Sequence, residues 1–433
     1  MECAQRHQGA SGSLNSYRME KTVLQPAPVI SIDSRLAKNI NATMRTTMKQ
    51  RLFTPGPTPV PERVMLRMAE PIIHHRTEEF VEGLAEVHDN LKYLFCTDQP
   101  VLTLTSSGTG GMEAAIANVF SRGDEVITVN GGKFGERWGE IVTAYGLQNR
   151  QIDQEWGSAV TAERIREELR NYPNVRGICL THSETSTGVF TDVRAIASEI
   201  REEFDGLIIV DGITAVGAHE LRFDEWGLDI VVTGSQKGLM IPPGLAFIAL
   251  SDRAWKMAES SDLPSFYFDL KLARKAYEKG DTPWTPAVTL VLGLQEALRM
   301  VRDEGREAIW RRHTRLAAGL RDGLTALGFD LFGTPPSNAV TSVMFPEGGK
   351  DFQKVMKDRY GITMAGGQEA LKGKIFRVSH LGYYDEGDML TFLHYAERTL
   401  SDLGLPFESG AGVAAAQQTF SRFLAEESVA DQV

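Results

Sequence analysis

Three short stretches of this sequence combine residue types that can do chemistry once a fold brings them together. In Ser106-Ser107-Gly108-Thr109-Gly110-Gly111, hydroxyls and glycines precede the apolar-periodic stretch Met112–Phe120. A strand-to-helix turn of this kind offers free N–H groups and a positive helix end to an anion, although glycine also serves a tight bend that binds nothing. In Leu207-Ile208-Ile209-Val210-Asp211-Gly212, an apolar run ends on one carboxylate. A buried strand ending in Asp signals a cation to be met, because an unpaired buried charge is costly; a lone Asp there also commonly reaches solvent or caps a turn. In Val231-Val232-Thr233-Gly234-Ser235-Gln236-Lys237-Gly238, a lysine follows a strand directly and lies between two glycines. Lysine ordinarily ends in water, but one held at a strand end by a tight turn is a candidate for covalent chemistry with a carbonyl.

In this order, an anion cradle, an Asp at a strand end and a Lys at a later strand end are the three anchors of pyridoxal 5'-phosphate. The Asp keeps the pyridine nitrogen protonated, which strengthens the electron sink, and the Lys carries the aldehyde carbon. The lysine pattern of a P-loop is absent from the glycine-rich turn.

Such residues need a scaffold that carries them to one place. From Val101 the chain alternates short β-rich runs with amphipathic stretches: Val101–Ser107 then Met112–Phe120, Glu125–Val129 then Glu136–Ala144, Gly177–Thr181 then Val193–Phe204. That alternation predicts βαβ units, an α/β fold and a mostly parallel sheet. Further strands are expected at Leu207–Asp211, Asp229–Gly234 and Ala246–Leu250, the last two joined round Pro242-Pro243-Gly244 as an antiparallel edge pair. Beyond Trp284, helical segments at Val288–Val301 and Glu307–Ala326 precede strands near Ala339–Phe345 and Lys374–Ser379 and a helix from Glu386, the pattern of a smaller α+β domain. The expected organisation is a disordered extension over 1–47, an N-terminal segment and large domain over 48–300, a small domain over 301–404 and a C-terminal extension over 405–433.

Composition narrows the function classes. The 433 residues are 42% hydrophobic and 24% charged, the profile of a globular protein with a sizeable core. A net charge of -11, without clusters of Lys and Arg, offers no field for nucleic acid. No uncharged apolar run approaches the roughly 18–20 residues a membrane span needs. Three scattered cysteines, Cys3, Cys96 and Cys179, make neither a disulfide framework nor a Cys-pair zinc site, so no metal is expected and a cytoplasmic location fits best.

The motifs also match a family. Thr54-Pro55-Gly56-Pro57-Thr58, Ser107-Gly108-Thr109-Gly110, Thr181-His182-Ser183-Glu184-Thr185-Ser186-Thr187-Gly188, Val210-Asp211, Gly234-Ser235-Gln236-Lys237, Pro242-Pro243-Gly244 and Arg377 occur in the order found in class V, fold-type I aminotransferases. Over roughly Phe53 to Leu400 the chain resembles the serine–pyruvate and alanine–glyoxylate group. The resemblance implies a large domain with a mostly parallel seven-stranded sheet and a homodimer with shared sites. It further implies that Lys237 binds the cofactor aldehyde, Asp211 pairs with the ring nitrogen, Phe134 stacks on the ring and Thr185 contacts the ring hydroxyl. Ser107, Gly108, Thr109, Gly110 and Gln236 would hold the phosphate, with Thr285 of the neighbouring subunit. Thr282 or Pro283 stands where that group often places a tyrosine reaching across the dimer. Arg377 would grip the substrate α-carboxylate, a task suited to a planar two-pronged donor. Gly56 would contribute backbone to the pocket, or simply stiffen a turn. His74-His75-Arg76 resembles a His-Arg pair that phosphoserine aminotransferases use for the substrate phosphate, though relatives with other substrates carry it too.

The activity implied is transfer of an amino group from a small amino acid, alanine or serine, to a 2-oxo acid, glyoxylate or pyruvate, with Lys237 also shuttling the α-proton. Three other readings stay open. An acidic substrate, aspartate or phosphoserine, would call on Arg76 and His75. Cysteine desulfuration would need a reactive Cys in the C-terminal half, and none follows Cys179. A non-catalytic, hydrogenase-associated subunit would have little use for Lys237, Asp211 and Arg377 together.

Overall fold

The computed structural model describes residues 48–430; the expectation of disorder over 1–47 lies outside them. The large sheet has seven strands in the order Val101–Leu104, Ala246–Leu250, Ile230–Gly234, Leu207–Asp211, Val175–Thr181, Glu125–Asn130, Gln148–Asp153. The central strands are mostly apolar and, Arg176 apart, buried on both faces, as helices on either side of a parallel sheet require. All pairs from Ile230–Gly234 to Gln148–Asp153 are parallel.

Two expectations about this sheet change. The antiparallel strand is not part of an edge pair: Ala246–Leu250 is inserted between Val101–Leu104 and Ile230–Gly234 and runs antiparallel to both. Ala246 is therefore in register with Leu104 on one side and Gly234 on the other, so the turns that follow those two strands leave the sheet at the same end. The seventh strand, Gln148–Asp153, has no apolar run to announce it. It is an edge strand in which Ile152 alone is buried, and its pairing with Glu125–Asn130 rests on backbone hydrogen bonds together with polar side-chain contacts such as Thr128–Asn149 and Arg150–Glu125.

A second sheet has the order Arg51–Phe53, Ile362–Gly366, Ile375–Ser379, Val340–Met344, Leu331–Phe332. Arg51–Phe53, expected from the sequence to go with the large domain, pairs here in parallel with Ile362–Gly366. Three residues carry no periodicity, and their partner is distant in the chain. Helices Val288–Glu304 and Arg306–Ala326 meet at Gly305, whose φ of 85° breaks what would otherwise be one long helix. The C-terminal helix Ala411–Ala430 docks on Arg306–Ala326: the buried Phe420 ring lies over Gly319, Thr419 Oγ1 donates to Asp322, and Arg315 pairs with Glu427. Among the described residues no helix is long and apolar enough to cross a membrane.

Candidate active site

Asp211 and Lys237 meet because their strands are neighbours. Asp211 closes Leu207–Asp211 in register with Val232 of the adjacent parallel strand, and Lys237 follows that strand by three residues. Carboxyl ends of parallel strands are where α/β sheets bind ligands, since loops diverge there. Lys237 is only 7% exposed, and its Nζ donates to the carbonyl of Pro55. The Pro55-Gly56 turn lies on it so closely that a Cβ at Gly56 would sit 2.6 Å from Nζ, and Gly56 has a φ of +155°, a conformation that favours glycine. Thr58 anchors the same turn through Oγ1 to the Lys237 carbonyl at 3.1 Å. Burial lowers the Lys237 amine to about 8, with Arg377 and Arg137 acting in the same direction and Asp211 and Glu184 opposing. An amine so tuned gives up its proton near neutrality.

Asp211 is 3% exposed; Oδ1 accepts from the N–H of Ile213 at 2.8 Å, and among the described residues no side-chain cation pairs with it. Burial pushes its carboxyl from 3.8 up to about 7, with Glu184 adding to the rise and Lys237 and Arg137 opposing it. The unfolded chain loses this proton near 3.8 and the folded chain near 7, so between those values the folded state holds more protons and stability falls as pH rises. Asp211 therefore contributes a decline in the thermal midpoint of the cofactor-free protein from about pH 4 to about pH 7, set against the rise contributed by the buried His88, His182, His219, His313 and His380, whose proton affinities burial lowers. Asp211→Asn, neutral throughout, should flatten that decline; equal slopes in the two proteins would refute the shift.

The glycine-rich turn stands beside them. Ser107 stands at the N-cap of the helix Gly108–Val119 with no side-chain cap bond; the first turn carries no acidic residue, and while the Gly110 N–H donates to the Ser107 carbonyl, helix geometry leaves those of Gly108 and Thr109 without intrahelical partners. Register brings this turn against Gly234: a Cβ there would lie 3.5 Å from the Gly108 nitrogen. Gln236 places its buried Oε1 nearby without a hydrogen-bond partner.

Arg377 arrives from the second sheet. It is 6% exposed; Nε and Nη2 donate to the Gly366 carbonyl at 2.9 and 2.7 Å, and Nη1 donates to the Thr185 carbonyl at 2.8 Å. Burial lowers this guanidinium to about 10, against the pull of Glu184. All its partners are carbonyl oxygens, so its charge has no bonded carboxylate among the described residues. Thr185 also shares a 2.7 Å hydroxyl contact with Thr214.

Two residues without an expected role join this group. Glu184, fully buried, accepts from the N–H groups of Phe134 (3.1 Å), Gly135 (2.9 Å) and Ser186 (3.0 Å), and from Ser186 Oγ at 2.6 Å. It thereby caps the helix Lys133–Ala144 and sets the position of Phe134; burial raises its carboxyl. Glu184→Ala would leave three buried N–H groups unpaired and should cost about 2 kcal/mol or more of stability, read by chemical unfolding. Arg137 lies on the same helix, its guanidinium carbon 4.9 Å over the Phe134 ring, and its Nη1 donates to Thr109 Oγ1 at 3.0 Å. The sequence signals were present: Glu184 lies inside the Thr181–Gly188 motif, and Arg137 follows Phe134 by three residues, the spacing that puts two side chains on one helix face.

Two expected residues are not brought to Lys237 within one chain. Thr285 is exposed and lines an open cleft of about 690 Å³ with Ile72, His74, His75 and Leu290. Arg76 is exposed at the start of the helix Glu78–Phe95, where its N–H donates to His74 Nδ1 at 3.2 Å. Both stand on surface next to exposed Ile72 rather than in the Lys237 cleft. Among the described residues no cluster of potential ligands could hold a metal.

Residues 51–410 match the model of the family described as aminotransferase class-V. The chain belongs to the class-V aminotransferases. As a member of this family it is a transaminase, and its fold is that of the fold-type I enzymes. Among similar proteins, "Soluble hydrogenase, small subunit" of Synechococcus sp. is 44% identical over 86% of this chain and 99% of its own. "L-aspartate--glyoxylate aminotransferase" of Paracoccus denitrificans is 36% identical over 86% of this chain and 97% of its own. The crystal structure of ureidoglycine–glyoxylate aminotransferase from Bacillus subtilis superposes with a TM-score of 0.82 at 30% identity, covering 87% of this chain and 99% of that one. The class-V aminotransferase match ends at residue 410, immediately before the helix Ala411–Ala430.

Proposed function

We propose that this transaminase works with pyridoxal 5'-phosphate and moves an amino group from alanine or serine to glyoxylate or pyruvate. The observation that carries the reading is the juxtaposition of Lys237 and Asp211 at neighbouring strand ends, with the Arg377 guanidinium crossing from the other sheet to Thr185. The residues fit the cofactor. Asp211, buried without a cationic partner, suits a protonated ring nitrogen. The N–H groups of Gly108 and Thr109, the Ser107 hydroxyl and the NH2 of the Gln236 amide suit a phosphate, while the Gly110 N–H is spent on the Ser107 carbonyl. Phe134 offers a ring face, and Thr185 a hydroxyl.

Bound pyridoxal phosphate supplies an electron sink for the α-carbon of the amino acid. Lys237 would hold the cofactor through Nζ, and its neutral Nζ, when free, would take the proton from the substrate α-carbon. Its lowered pKa keeps a useful share of it unprotonated near neutral pH. Arg377 binds the α-carboxylate in a fork and so aims the Cα–H bond at Nζ. The Pro55-Gly56 turn covers Nζ and limits access of water.

Glyoxylate as acceptor is supported by the names of the Paracoccus and Bacillus proteins. Aspartate as donor is the second reading, supported by the former name. A homodimer is supported by the exposed Phe266 (80%), Leu66 (71%) and Ile72 (73%), the last lining the cleft that holds Thr285, and the cytoplasm is the proposed location. The test is a visible spectrum of the purified protein with pyridoxal phosphate. The reading expects a band that collapses with the right amino acid and returns on adding glyoxylate; the fastest of L-alanine, L-serine and L-aspartate names the donor. No band, or a band indifferent to all three, overturns it.

A further inference from the structure

We propose that Arg137 is a direct ligand of the cofactor phosphate, supplying the positive charge that the Gly108 turn lacks; this rests on the pyridoxal-phosphate reading above. The turn's own donors, the N–H groups of Gly108 and Thr109 and the Ser107 hydroxyl, are all neutral, and a phosphate ester brings close to two negative charges. Lys237 cannot serve as the counter-charge, because its Nζ is committed to the aldehyde and lies under Pro55.

Arg137 is placed for this. It projects from the first turns of the helix Lys133–Ala144, which Glu184 fixes by accepting from the N–H groups of Phe134 and Gly135. The guanidinium is half-buried over the Phe134 ring and makes no ion pair with any carboxylate among the described residues. One of its five donors goes to Thr109 Oγ1 at 3.0 Å, which has two consequences. The hydroxyl oxygen is used as an acceptor, so its own proton is free to point at an anion on the turn. The remaining guanidinium donors are left beside the same anion, in the planar arrangement that matches phosphate oxygens. Arg137 also lowers the proton affinity of both Asp211 and Lys237, so its charge is felt across the whole cleft.

The experiment compares pyridoxal 5'-phosphate with pyridoxal, which lacks the phosphate, as ligands of the cofactor-free full chain, each followed by the visible band that forms on Lys237. Arg137→Met should weaken pyridoxal phosphate by about 10- to 100-fold, the loss of charge-assisted hydrogen bonds, and leave pyridoxal unchanged. Arg137→Lys, which keeps the charge without the fork, should recover part of the difference. Equal weakening of both ligands would mean that Arg137 merely orients Phe134, and would overturn the proposal. Unchanged cofactor affinity with a raised KM for aspartate would overturn it too, assigning Arg137 to a distal substrate carboxylate. Failure of the unsubstituted protein to form a band with either ligand would remove the pyridoxal-phosphate reading itself, and Arg137's role with it.

Discussion

Lys237→Ala is expected to lower the rate of amino transfer by about 10⁴-fold or more, because in the proposed mechanism one side chain both holds the cofactor and carries the α-proton. The environment argues for this double duty. A fully buried amine at the end of a parallel strand, lowered to about 8 mainly by burial, costs stability, and surface lysines avoid that cost by reaching water. Stopped-flow measurement of a half-reaction with L-alanine would separate the two duties. Cofactor held non-covalently by the variant should still react slowly, and a small amine such as methylamine should restore part of the rate by standing in for Nζ. Lys237→Arg should remain inactive, since its guanidinium stays protonated and cannot act as base. A Lys237→Ala protein that turns over within tenfold of the original would sink the mechanism.

Arg377→Ala should reduce kcat/KM for every amino acid by about 10²- to 10⁴-fold, the loss of a two-pronged charge-assisted contact. The same arginine ties Gly366 to Thr185 and so joins the two sheets, which makes a structural contribution expected as well. The control is a substrate without the carboxylate. For ethylamine, which lacks the α-carboxylate of alanine, the substitution should change the rate far less, because Arg377 has nothing to grip. If alanine and ethylamine suffer alike, the arginine acts only on the architecture. Arg377→Lys should recover little, since an ammonium cannot reproduce the planar fork.

Much of the fold and of the site is legible in the order of residues wherever the signal is local. The apolar run Leu207–Asp211, the strand leading to Lys237 and the glycine turn before Gly108–Val119 each announce themselves within a few residues, through periodicity and turn chemistry. Two strands escape for opposite reasons. Gln148–Asp153 is polar because a sheet edge needs little burial. Arg51–Phe53 is too short to show a pattern, and its hydrogen bonds run to Ile362–Gly366 across most of the chain. The position of Ala246–Leu250 between two strands, rather than at the edge, depends on which neighbour Val101–Leu104 chooses, and the antiparallel pairing decides that in space.

The sequence by itself determined the chemistry on offer: a lysine and an aspartate at strand ends, a glycine-rich turn at a helix start, an arginine on a later strand, and their order. Side-chain type and local conformation carry that information, and both are written residue by residue. Only the tertiary structure decided what those groups become. Burial moves Asp211 to about 7 and Lys237 to about 8 because the charged forms lose water, an effect that exists only once distant segments close over them. The same closure gives Glu184 its helix to cap, sets Arg137 beside Thr109 and brings Arg377 from one sheet to Thr185 beside the other. It also leaves Thr285 and Arg76 on the outer surface, away from the Lys237 of their own chain. These are relations between segments far apart in the chain, and spacing in sequence carries no measure of them.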